Sequence, residues 1–121
     1  MPFAYVAKRA RSFAAAIAGL RVLAGESHSK IHALATVLAL VAGGVARLTC
    51  IEWCALVFAI ALVWVAEGLN TAIEKLADAA VPERHELVGK AKDVAAAAVL
   101  IAALAALAVG ALLFVPRLLP R

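Results

Sequence analysis

Apolar residues in this chain come in long blocks. His32 to Thr49 carries one charge, Arg47, near its end; Ile51 to Ala66 carries one, Glu52, near its beginning; Val94 to Val115 carries none. About 20 apolar residues cross the hydrocarbon of a bilayer as a helix, so the third block predicts a transmembrane helix outright. The first two are shorter and reach that length by extending into flanking polar sequence. Only a few residues around Arg47 to Glu52 separate them, which predicts an antiparallel helical hairpin. A charged stretch, Glu67 to Asp93, separates the second block from the third, with Pro82 as a helix stop, and Pro116 and Pro120 are expected to close the third.

Ahead of these blocks, residues 2–26 mix Lys8, Arg9, Arg11 and Arg21 with Phe3, Phe13, Ile17 and Leu20 at helical spacing. A signal peptide would show a basic start, a short apolar run and a cleavage site instead. The mixture reads as a basic, amphipathic helix lying on an anionic membrane surface. The pattern therefore predicts an all-α integral membrane protein forming a single domain over residues 1–121. Its parts are a surface helix (2–26), a first span (32–49), a second span with a cytoplasmic extension (51–79), a cytoplasmic loop (80–91) and a third span (92–115).

Composition agrees. Of 121 residues 66% are hydrophobic and 17% charged, whereas a soluble domain is about 45–50% apolar. A chain of this size cannot hide so much apolar surface as a water-soluble monomer, and it leaves no room for a separate cofactor domain. Cys50 and Cys54 are too few for a disulfide framework and lack zinc-type partners, so they read as small apolar helix residues. The basic residues are unevenly distributed. Lys8, Arg9, Arg11, Arg21 and Lys30 precede the first span, and Lys75, Arg84, Lys90 and Lys92 lie between the second and third. Only Arg47, Arg117 and Arg121 fall on the opposite face. That bias predicts a cytoplasmic amino terminus and a cytoplasmic polar loop.

The acidic residues carry the candidate chemistry. Glu67, Asn70, Glu74 and Asp78 are spaced 3, 4 and 4 apart, which sets them within about a 60° stripe on one helix face. Glu67 directly follows Val63 to Ala66 and so sits at or just below headgroup level. Burying a carboxylate there costs about 2.5 kcal/mol or more unless it has a partner or a wet cavity. A solvated face where a helix leaves the membrane accounts for Glu83 and Glu86, but less well for a stripe that includes Asn70. Lys92 and Asp93 open the third span, where Lys92 can meet a phosphate with help from the positive helix end. Clustered carboxylates without a Cys/His set suit Mg²⁺ carried in with a nucleotide. His32 and His85 read as polar interface residues. No P-loop or kinase Gly-rich loop is present, so nucleotide chemistry would need another scaffold. A rival reading is a small proton-coupled exporter built on Glu67, and a third is a structural membrane subunit; neither needs Glu26, Glu74, Asp78, Lys92 and Asp93 on one side.

At these residues the sequence resembles the prokaryotic diacylglycerol kinase family, which includes undecaprenol kinases. Glu67 to Asp78 looks like that family's E-x-x-N-[ST]-A-I-E-x-x-x-D signature, and the likeness continues in His85-Glu86-Leu87 and Ala91-Lys92-Asp93. Arg11-Ser12-Phe13, Gly19-Leu20, Glu26, Ile31-His32 and Glu52-Trp53 extend it over nearly the whole chain. The stretch between Gly19 and Glu26 is one residue shorter than the family's, and Ala96 stands where some members have Ser. The resemblance implies a homotrimeric lipid kinase of the bacterial inner membrane, with cytoplasmic active sites shared between subunits. It implies Glu67 as the base that takes the proton from the lipid hydroxyl, and Glu26 and Glu74 as ligands of the Mg²⁺ bound to ATP. Glu83, Arg84, His85, Lys92 and Asp93 would contact ATP, as would Glu26 and Glu74, with Asn70 and Asp78 in support. The partners it implies are ATP, diacylglycerol or undecaprenol, the membrane and further copies of the chain, with no nucleic acid.

Overall fold

The computed structural model describes residues 1–120. They form four helices, α1 (Pro2–Ala24), α2 (Ser27–Ala46), α3 (Cys50–Ala80) and α4 (Glu86–Leu118), with no strand among the described residues. The chain divides into two units, one ending at Ile31 and the other beginning at His32, so the boundary falls inside α2.

The amino-terminal unit is built around α1. Pro2 occupies the first turn, where its missing N–H costs no hydrogen bond. The helix ends as Gly25 donates to the carbonyls of Arg21 and Val22 and Glu26 donates to Leu23. Arg9 stacks over the Tyr5 ring and donates to its hydroxyl one turn back. No residue of α1 is buried, and Phe3, Phe13, Ile17 and Leu20 are all exposed.

The second unit is a bundle whose helices run back and forth. α2 ends in a Schellman turn: Leu48 N–H donates to Gly43 and Arg47 N–H to Gly44, while Arg47 adopts a left-handed φ of 55°. Leu48 is buried beneath this turn. Thr49 then caps α3 by accepting from Glu52 N–H, and the Glu52 side chain accepts from Thr49 N–H, a reciprocal capping box. Contacts between Gly43 and Trp53, Thr36 and Trp64, and His32 and Glu67 rise on one helix as they fall on the other. α2 and α3 are therefore the antiparallel hairpin the short connection predicts. Gly43 sits so close to Trp53 that an added Cβ would lie 2.8 Å from the indole.

α3 stops at Val81 and Pro82, and α4 starts at Glu86, capped by His85, whose Nδ1 accepts from Leu87 N–H. The polar residues from Glu86 to Ala91, read from sequence as loop, are helical. Polarity decides which side of the interface a segment occupies, and a capped, solvated turn with its Glu86–Lys90 pair continues the helix on the wet side. Pro116 does not close α4, which runs on to Leu118. A proline this near the end removes one hydrogen bond rather than a whole helix. Beside it, the Arg117 side chain donates to the carbonyl of Leu113, to that of Ala46 on α2 and to both Glu52 oxygens on α3. One guanidinium thus ties three helices at this end of the bundle.

α3 and α4 make the most extensive contact. Small residues let them approach, since Ala59, Ala95 and Ala102 are buried alongside Leu48 and Leu56. Glu67, Asn70 and Thr71 are buried too, whereas Leu38, Phe58, Leu104 and Leu112 face outward. Such an apolar exterior around a partly polar interior reverses the usual soluble order. α2, α3 and α4 are each long and apolar enough to cross a membrane.

Candidate active site

The α3 stripe runs from buried to exposed. Glu67 is 3% accessible, Asn70 7% and Thr71 8%, while Glu74 and Asp78, one and two turns further along, are exposed. The helix carries four predicted site residues out of the bundle interior into open surface within three turns. Asn70 is buried with its Oδ1 unpartnered, at one edge of an open groove of about 830 Å³ between α3 and α4. That groove is lined mainly by Leu, Val, Ile and Ala, with Lys90 as its charged rim.

Glu67 is held across the α2–α3 interface. His32 Nε2 lies 3.3 Å from Glu67 Oε2. The Thr36 hydroxyl donates to the His32 carbonyl at 2.7 Å and accepts from Trp64 Nε1 at 2.9 Å. The Trp64 and His32 rings meet edge to face, 6.1 Å between centroids. Neither His32 nor Thr36 stands out in the sequence as a partner of Glu67. The i, i+4 spacing of His32 and Thr36 opposite the i, i+3 spacing of Trp64 and Glu67 is a signal only once the hairpin register is known.

The remaining predicted residues fall as follows. Lys92 on α4 forms an ion pair with Asp78 on α3, so the start of α4 and the end of α3 are clipped together beside Asp93, which is exposed. Glu83 and Arg84 are exposed in the connection between the helices. His85 also lies there, with Nδ1 occupied as the α4 cap, so the ring proton resides on Nε2. Glu26 belongs to the amino-terminal unit, half-buried just before α2, where its carbonyl accepts from Ser29 N–H.

Among the described residues no group of three His, Cys, Asp or Glu side chains forms a metal cage. The carboxylates nevertheless suit Mg²⁺, which binds hard oxygen and needs only one or two protein carboxylates when nucleotide phosphates supply the rest. The second unit thus combines a buried carboxylate beside an imidazole with exposed carboxylates and an ammonium group further along the same helices. The first can accept a proton from a group held in lipid; the second suits a soluble, highly charged co-substrate.

Residues 7–114 match the sequence profile of the prokaryotic diacylglycerol kinase family. The chain is 37% identical over 93 residues to an undecaprenol kinase of Bacillus subtilis, covering 77% of this chain and 76% of that protein. It is 40% identical over 110 residues to a diacylglycerol kinase of Synechocystis, covering 89% of this chain and 63% of that longer protein. A shorter match, 51 residues at 49% identity, links it to a diacylglycerol kinase of Escherichia coli over 42% of each chain.

Proposed function

The chain belongs to the prokaryotic diacylglycerol kinase family, and on that premise we propose that it transfers the γ-phosphoryl group of ATP to the hydroxyl of a membrane lipid, diacylglycerol or undecaprenol. The observation that carries this reading is Glu67: a carboxylate 3% exposed on a helix long enough to span a membrane, about two turns inside the exposed Glu74 and three inside Asp78. A lipid alcohol keeps its tail in hydrocarbon and its hydroxyl near the interface, where only a carboxylate at that depth reaches it.

Glu67 takes the proton from that hydroxyl as its oxygen attacks the γ-phosphorus, and ADP leaves with the bridging oxygen. Phosphoryl transfer asks the protein mainly for positioning and charge neutralisation. Lys92 supplies a positive charge at the wet end, where Asp78 orients it. Asp93, Glu83, Arg84 and His85 contact the nucleotide, and Asn70 supports the site from the groove. Glu26 and Glu74 would hold Mg²⁺, which when bound offsets phosphate charge. The active sites lie on the cytoplasmic side of the bacterial inner membrane, which the Lys/Arg bias supports. Three copies associate, sharing sites between neighbours and burying the open α3–α4 groove. The exposed apolar residues of α1 rest on the membrane surface.

The experiment is transfer of labelled γ-phosphate from ATP to diacylglycerol and to undecaprenol, side by side in detergent micelles. Product on at least one lipid, dependent on Mg²⁺, is expected. No product on either overturns the proposal and returns the exporter reading.

A further inference from the structure

We infer that His32 is a positioning residue for the Glu67 carboxylate, fixing through the approach of its Nε2 to Oε2 the rotamer from which Glu67 addresses the lipid hydroxyl. The inference rests on the proposed role of Glu67 as base.

The contact is 3.3 Å between His32 Nε2 and Glu67 Oε2, with the imidazole 19% exposed and the carboxylate 3%. A carboxylate acting as base only accepts, so across this contact the imidazole N–H is the donor. The imidazole is itself constrained. The Trp64 ring lies edge to face against it, and Thr36, whose own proton goes to the His32 backbone carbonyl, holds that indole by accepting from Nε1. His32 and Thr36 lie one turn apart on α2, and Trp64 and Glu67 one turn apart on α3. The four close a ring across the hairpin in which Thr36 spends its single proton and a lone pair.

Adhesion between two membrane helices would be served by the Trp64–Thr36 hydrogen bond alone. The arrangement goes further, because the Trp64 ring held by that bond packs edge to face on the imidazole that approaches the buried acid of the α3 stripe. A buried polar bond is strong when satisfied and costly when broken, so the Trp64–Thr36 bond holds the indole firmly against the imidazole, and the orientation imposed on Glu67 is stiff. A base that must lie in line with a hydroxyl at the edge of the hydrocarbon gains its rate from that stiffness. Substrate affinity, set elsewhere in the site, does not depend on it.

The test is steady-state phosphoryl transfer by the purified full chain in micelles, comparing wild type with His32→Leu, His32→Gln and Glu67→Gln. His32→Leu is expected to lower kcat about 10- to 100-fold, with KM for ATP and lipid changed by less than about twofold. Gln keeps an N–H at similar reach and is expected to restore most of kcat. If His32→Leu does not fold, His32→Asn, whose amide is too short to reach Oε2, replaces it and is expected to fall likewise. A normal kcat in His32→Leu or His32→Asn overturns the inference, as does an equal loss in His32→Gln. Glu67→Gln separates the two claims: its inactivity beside an active His32→Leu rejects the positioning role alone, while its normal activity rejects Glu67 as base.

Discussion

A base at position 67 must be ionised to accept a proton, yet Glu67 is enclosed by apolar helices, and these requirements oppose each other. His32 Nε2, 3.3 Å from the carboxylate, would offset part of the desolvation cost as a donor without neutralising it. If that carboxylate is the base, Glu67→Gln, nearly the same shape, is expected to cut turnover by at least about 100-fold. Thermal unfolding and ATP binding should be close to wild type; labelled-phosphate transfer beside a melting curve checks both. The stripe to which Glu67 belongs is legible in the sequence, because spacing within one helix fixes the face. Its imidazole partner is not. Pairing residues 32 and 67 requires the register between two helices, which depends on the turn at Arg47 to Thr49. That turn lacks the glycine that normally marks it.

The α2–α3 connection illustrates how an element boundary constrains the site. Arg47 sits at φ 55°, a conformation that disfavours any side chain with a Cβ. Arg47→Gly is expected to stabilise the fold by about 1 kcal/mol, read as a raised melting midpoint in detergent. Gly43, four residues earlier, has no such freedom to change, because a Cβ there meets Trp53 at 2.8 Å. Gly43→Ala should cost about 1–3 kcal/mol through overpacking, and trimming Trp53 to Leu in the same chain should recover part of it. The hairpin itself is legible from the shortness of its connection. The Glu52–Arg117 clamp is not, since its partners are far apart in sequence and a proline beside Arg117 argues for a helix end.

At the level of the whole molecule, charge is sorted by end. The Glu52–Arg117 pair closes one end, and Asp78, Lys92, Glu83 and Arg84 gather toward the other. Shared active sites would let subunits complement each other, so mixing inactive Glu67→Gln and Glu74→Gln chains should restore part of the activity. Its absence after verified subunit exchange would assign each site to one chain. The clamp also sets a zero for measuring depth. From Cys50, at the clamped end of α3, the helix advances about 26 Å to Glu67 and about 42 Å to Asp78, against a hydrocarbon layer of about 30 Å. With Glu67 as base the bundle would gauge bilayer thickness: a thicker membrane would submerge Glu67 beyond reach of a hydroxyl, and a thinner one would lift it clear. Activity in vesicles of one headgroup and graded acyl length should peak at an intermediate length and fall on both sides; a flat profile would mean that the lipid finds the carboxylate at any depth.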